Sequence, residues 1–264
     1  MKLYHYTSID TLFSMFKNSI IEDDNTNVKY IELWARHISC LADKSEYKFF
    51  IDRLIKDLKE YAQSLKHKFS DEELKILNRL NQSCLYTISL TNNGNSSYMW
   101  KEYGDNHTGV CLEFDFALIH THYLHKEGYL LMEYAYDSFL EKCKYVSSEE
   151  IKIEKQIIEE VYQCIVNDNS KSAEEVIKKA VLLSKIEDSA IVHKKKEYSE
   201  ESEFRIVLGS VILQEHLKFP IPISAISNIV LGSSIKDRAQ INCIIQTIMD
   251  RLGESVNVRI SECL

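Results

Sequence analysis

Glycine and proline are scarce in this chain, 7 and 2 of 264 residues, about 3% together where an average protein has roughly 12%. The scarcity excludes collagen-like and low-complexity architectures. It also leaves no G-x-G-x-x-G, so the Rossmann dinucleotide fingerprint is absent. The nearest glycine pair, Gly104 and Gly109, is followed by Val110-Cys111 where a P-loop needs Lys and Ser/Thr. No C-x-x-C occurs among the 7 cysteines, which are odd in number and widely spread. Neither a zinc ribbon nor a thioredoxin motif is expected, and a reducing, cytoplasmic setting is the simplest account. The start, Met1-Lys-Leu-Tyr-His-Tyr-Thr, carries no apolar signal region, and no apolar run approaches membrane-spanning length. The expectation is a protein neither secreted nor embedded.

What remains is a globular composition, 45% apolar, long enough for one large domain or two small ones. The net charge of −8 argues against indiscriminate binding to nucleic acid or anionic membranes, though not against a local basic site. Strands are expected at 2–6, 30–38, 84–90, 109–116, 129–136, 203–213, 226–231 and 256–260. Thr7-Ser8 offers a cap for a helix carrying Leu12, Phe13 and Phe16. A long helix from Asp43 aligns Tyr47, Phe50, Ile51, Leu54, Ile55 and Leu58. Ser70-Asp-Glu-Glu is a capping box. Short helices follow near 97–103 and over 236–252, and the charged stretch 148–190 reads as a helical insertion or lid. Short strands between unequal helices indicate an α+β fold.

Several clusters carry chemistry. His120, His122 and His125 share one face of neither helix nor strand, so an irregular surface turn and no metal site is expected. The run His193-Lys-Lys-Lys196 reads as a solvated helix face, with a phosphate contact as the alternative. In Tyr198-Ser-Glu-Glu201-Ser-Glu203-Phe-Arg205, a strand over 201–207 puts Glu201, Glu203 and Arg205 on one face. That is either an exposed strand edge with a salt bridge or a carboxylate poised for catalysis. Trp100 and Tyr103, beside Gly104, suit either a core or stacking on a flat ring. His5 is either a buried, hydrogen-bonded histidine or one that presents a ring N–H to a ligand hydroxyl.

In order along the chain stand L-Y-H-Y-T-S at the start, A-D-K-S-E at 42–46, M-W-x-x-Y-G-D-N-H-x-G-V-C-L-E-F-D at 99–115 and Y-x-x-E-x-E-F-R-I at 198–206. The pattern resembles a large bacterial family of unknown function, common near phage-defence and toxin genes, that is distantly similar to ADP-ribosyltransferases. The resemblance spans nearly the whole chain. It implies a single domain over 1–264 with a split β-sheet core and a helical insertion near 140–198. It also implies NAD as a substrate. His5 matches the first-strand histidine that grips the NAD ribose, with Thr7 or Ser8 as the hydroxyl just after it. Tyr103, or Trp100 as second choice, matches the aromatic that stacks on nicotinamide. Glu203 matches the catalytic glutamate, with Glu201 preceding it in an E-x-E arrangement to orient or deprotonate the acceptor, and Arg205 or Lys194–Lys196 would neutralise the pyrophosphate. One departure is plain: Tyr6 stands where such transferases carry a glycine.

The function so implied is an NAD-dependent ADP-ribosyltransferase acting as a toxin or antiphage effector. Its acceptor would be a macromolecule, nucleic acid or protein, with an antitoxin or defence partner possible and no membrane. Two alternatives stay open. One is an NAD glycohydrolase of the same fold, and the other a non-catalytic sensor binding a nucleotide or partner. A nuclease is disfavoured, because no cluster of metal-binding carboxylates is visible.

Overall fold

The alternating residues at the N-terminus form β1 (Lys2–Thr7), which lies inside a large mixed sheet. The computed structural model describes residues 1–19, 21–23, 28–41, 43, 45–79, 85–119, 138–167, 173–209, 215–253 and 256–263. These fall into two compact units, each assembled from separated segments. One unit takes Met1–Arg36, Tyr86–Glu141 and Glu200–Leu264, and the other His37–Leu85 and Lys142–Ser199.

The first unit is the sheet. Besides β1 it holds β2 (Ile21–Asp23), β3 (Val28–His37), β4 (Leu85–Thr91), β5 (Val110–Asp115) and β6 (Ser138–Lys142). From the C-terminal part come β9 (Glu203–Gly209), β10 (His216–Pro222), β11 (Ile226–Leu231) and β12 (Asn257–Ile260). The order is β10-β3-β4-β1-β5-β11-β12, with β2 on β3 and β9 bonded to β4 and β6. β1 and β5 pair antiparallel without a break, from Lys2 opposite Asp115 to Thr7 opposite Val110. β11 and β12 pair in parallel, joined by a helix over Arg238–Leu252 that Asp237 caps.

A strand has only two edges, and β4 bonds β1, β3 and β9. One edge of β4 is therefore shared by two strands in succession, and the sheet branches there. Among the described residues the strands form one ten-stranded sheet and a two-stranded one. The α+β class holds.

On one side of the sheet, Leu3, Leu33, Leu112 and Ile229 pack with Leu12 and Phe16 of α1 (Ile9–Ser19) and with Ile248 of the C-terminal helix. Ser8 caps α1, its Oγ accepting from the Thr11 N–H at 3.1 Å. On the other side, Tyr6, Cys111 and Val230 pack with Met99 and Trp100 of the short helix Ser97–Glu102.

The second unit is mostly helical. α2 (Glu46–Ser64) buries Tyr47, Phe50, Ile51, Leu54 and Leu58 of the stripe its spacing predicts, with Ile55 half-buried at its margin. It packs on the helices Lys155–Val166 and Ala173–Val192. The capping box forms as expected: the Ser70 N–H donates to Glu73 at 2.7 Å, and the Glu73 N–H to Ser70 Oγ at 3.3 Å. The stretch 148–190 thus holds two helices, and strands flank them. β7 (Lys144–Val146) pairs in parallel with β8 (His193–Lys195). The basic run is consequently no solvated helix face. Lys194 is buried, with Nζ 3.2 Å from Glu46 and 5.1 Å above the Tyr198 ring, and Lys195 lies 3.5 Å from Asp43. Asp43 also accepts from the Tyr198 hydroxyl at 3.2 Å. The strand expected at 129–136, residues 210–213 of another, and His120, His122 and His125 lie outside the described residues.

Candidate functional site

The helix Ser97–Glu102 starts where Ser96 Oγ accepts from the Met99 N–H at 3.2 Å, and it ends at Tyr103. Next come three residues with left-handed backbone: Asp105, Asn106 and His107, at φ 51°, 51° and 65°. Such a run is costly without glycine, about 1–2 kcal/mol per residue, so its surroundings must hold it. The His107 carbonyl accepts from the Ser234 N–H and the Gly109 carbonyl from the Gly232 N–H, both at 2.9 Å. Both glycines are needed for closeness. A Cβ on Gly109 would lie 2.3 Å from the Thr7 oxygen, and one on Gly232 would lie 2.1 Å from the His107 oxygen.

This clamped turn separates two aromatic residues into different roles. Trp100 is fully buried, edge-on to Tyr6 at 5.0 Å and near parallel to His107 at 6.4 Å, so it is a core residue. Its Nε1 and His107 Nδ1 are buried with no hydrogen-bond partner among the described residues. Tyr103 is 43% exposed, and its hydroxyl donates to Glu201 Oε1 at 2.8 Å. Glu201 itself is buried. Two motifs 98 positions apart therefore meet as an accessible ring tied to a carboxylate.

The expected common face of Glu201, Glu203 and Arg205 does not form. Glu201 ends a 3-10 turn over Lys196–Glu201, Ser202 is left-handed at φ 45°, and β9 begins only at Glu203. The strand alternation starts one residue too late to include Glu201. Glu203 and Arg205 do share a face. The guanidinium donates twice, Nε to Oε1 at 2.8 Å and Nη2 to Oε2 at 3.0 Å, and both side chains are buried. The charge of Arg205 is balanced inside the protein.

His5 sits opposite Leu112 on β1, its Nδ1 3.1 Å from the Ser89 carbonyl. A carbonyl only accepts, so Nδ1 carries the proton. Burial holds the pKa of His5 below the usual histidine value, the Ser89 bond opposes this, and the nearby Arg36 charge adds to it. The ring is neutral, and Nε2 offers a lone pair rather than the N–H expected. Alternation with Leu3 directs His5 to the α1 side of the sheet. Phe204, Ile206 and Leu208 pack that same core, so Glu203 and Arg205 project to the opposite side. Thr7 closes β1 opposite Val110, and the Ser8 hydroxyl caps α1 and bonds Thr11 Oγ1 at 2.9 Å. Tyr6, in the place of the glycine, acts as a strut: its hydroxyl donates to the Asn93 carbonyl at 3.0 Å and accepts from the Ser96 N–H at 3.3 Å.

Sequence reasoning left two groups without a role. Glu113 is buried and receives Lys2 at 2.5 Å, Ser227 at 2.8 Å and Asn228 at 2.9 Å. These bonds hold its pKa low against the burial that would raise it. Trp34, on β3, stacks on His216 of β10, a strand that the two prolines Pro220 and Pro222 concealed.

The family model described as a protein of unknown function (DUF2971) matches residues 99–206, consistent with a family of unknown function. The matched stretch runs from Met99 to Ile206 and so includes Tyr103, Glu201, Glu203 and Arg205. No curated protein and no solved structure matches the chain.

Proposed function

We propose that this protein is an NAD-dependent ADP-ribosyltransferase, a bacterial toxin or antiphage effector that modifies a macromolecular acceptor. The observation that carries the reading is the 2.8 Å bond from Tyr103 to Glu201, an accessible aromatic ring held against a buried carboxylate. In the reaction the glycosidic C1′–N bond breaks and its electron pair leaves with neutral nicotinamide. A nucleophilic oxygen or nitrogen of the acceptor bonds C1′, and its proton passes to a base. Little acid catalysis is needed, and a fixed negative charge beside the developing cation is what lowers the barrier.

Glu201 supplies that charge and the base, and the Tyr103 ring supplies a face for nicotinamide. The neutral His5 fits a ribose hydroxyl, because Nε2 accepts what a hydroxyl donates. Since His5 and Glu203 face opposite sides of the sheet, the dinucleotide in this reading crosses the strand ends. Arg205 is then a positioning residue that fixes Glu203 rather than a pyrophosphate ligand.

The test is purified protein incubated with labelled NAD and cell lysate. Wild type is expected to release nicotinamide and label a macromolecule, and Glu201→Gln to lower the rate by roughly 100- to 1,000-fold, the usual loss when one preorganised electrostatic group goes. Absence of nicotinamide release from wild type, or an undiminished Glu201→Gln variant, defeats the reading. Release without transfer of label assigns the site to hydrolysis instead.

A further inference from the structure

β3 divides its residues cleanly. Ile31, Leu33 and Ala35 enter the core, while Glu32, Trp34 and Arg36 take the other side. β10 pairs with it antiparallel, Lys218 directly opposite Trp34 and His216 opposite Arg36. Cross-strand partners share a face, so one indole has Lys218, His216 and Arg36 around it. Trp34 is 54% exposed. It is also fixed, because the His216 ring lies parallel to it, centroids 4.1 Å apart and planes 11° from each other. Lys218 runs along the same surface and reaches Glu32 at 2.9 Å.

Leaving a large apolar ring in water forgoes the free energy of burying it. Fixing that ring between cations gives a surface suited to a flat, anionic partner. We propose that this β3–β10 face binds single-stranded nucleic acid, one base stacking on the Trp34 ring and the flanking phosphates meeting Arg36 and Lys218. Stacking is open to any unpaired base, since each has a π-face, whereas a duplex keeps its base faces inside. An acidic peptide could use the cations but would gain little from the stacked indole. In a chain of net charge −8 such binding is local and strongly salt-dependent.

The face also bears on the acceptor. Trp34 and Arg36 lie, like Glu203, on the side of the sheet away from the core of Leu3, Ile31 and Leu33, and β3 pairs with β4, to which β9 is also bonded. Nucleic acid as the acceptor rests on the transferase reading; binding of nucleic acid does not.

Fluorescence anisotropy of a labelled oligodeoxyadenylate of about 12 nucleotides, with the full chain and no NAD, tests the proposal. Trp34→Ala should weaken binding about 5- to 100-fold, and Trp34→Phe, which keeps a stacking ring, less than about threefold. Arg36→Gln should reduce the slope of log K against log salt by roughly 0.7. An abasic strand of equal length should bind wild type as poorly as the oligonucleotide binds Trp34→Ala. The proposal is overturned if wild type binds no oligonucleotide at low salt, or if Trp34→Ala or the abasic strand binds as tightly as the reference pair. Nicotinamide release from NAD alone reads the transferase separately, so the failure of either reading is told apart from that of the other.

Discussion

Glu203 and Arg205 are nearly absent from the surface, and their two-bond ion pair offsets part of the cost of burying both charges. Replacing Arg205 with Met should cost about 3–5 kcal/mol, because it removes one member of a buried, doubly bonded ion pair. Urea unfolding of Arg205→Met beside wild type measures this, and an unchanged midpoint would mean that the pair adds nothing to the fold. The same dependence makes Glu203 a poor first choice for a test of catalysis, since losing it disturbs structure and site together. Glu201 is buried too, but its bond to the hydroxyl of an accessible tyrosine ties it directly to the candidate site. Little of this was legible in the sequence. Alternation correctly joined Glu203 to Arg205, but it also recruited Glu201, because nothing about a serine announces a left-handed backbone at position 202. That Tyr103 meets Glu201 at all is a tertiary fact, invisible to any local pattern.

Elements were easier to read than the joints between them. α2 declared itself by apolar residues at helical spacing and α3 (Asp71–Arg79) by its capping box, because those signals are local and physically sufficient. β10 escaped because Pro220 and Pro222 argue against a strand. The sheet accommodates them at its edge, where a missing N–H leaves one side unpaired. β7 and β8 escaped because a lysine run looks solvated until Glu46 and Asp43 are brought to Lys194 and Lys195. The turn at 105–107 belongs to this scale too, since it is secured by close approach of two strand ends. Gly232→Ala inserts a Cβ 2.1 Å from the His107 oxygen and must push the turn from β11. It should destabilise the protein by about 1–3 kcal/mol, as overpacking generally does. A thermal or urea midpoint equal to that of wild type would show that the clamp is slack.

Across the whole molecule, neither compact unit is continuous in sequence. The sheet takes three segments and the helical unit two. Composition and strand spacing sufficed to indicate an α+β protein, but not which segments associate, because that choice lies in the packing of side chains far apart in the chain. A chain ending at Ser199 lacks β9, β10, β11 and β12, four of the ten sheet strands among the described residues. It should therefore give no cooperative unfolding transition by circular dichroism, although most of its helices are intact. A sharp transition in that fragment would require the remaining strands to form a stable sheet unaided.

The reach from Tyr103 to Glu201 has a further consequence, in time rather than in space. A ribosome adds about 5–20 residues per second, so the tyrosine waits roughly 5 to 20 seconds for its partner to be synthesised. β1 and β5 can pair earlier, yet β11, on the far side of β5, arrives later still. A nascent chain thus remains without its ring–carboxylate pair until Glu201 has been added, 98 residues after Tyr103. The candidate site is therefore assembled after translation has passed Glu201, and not while the Tyr103 segment alone has emerged.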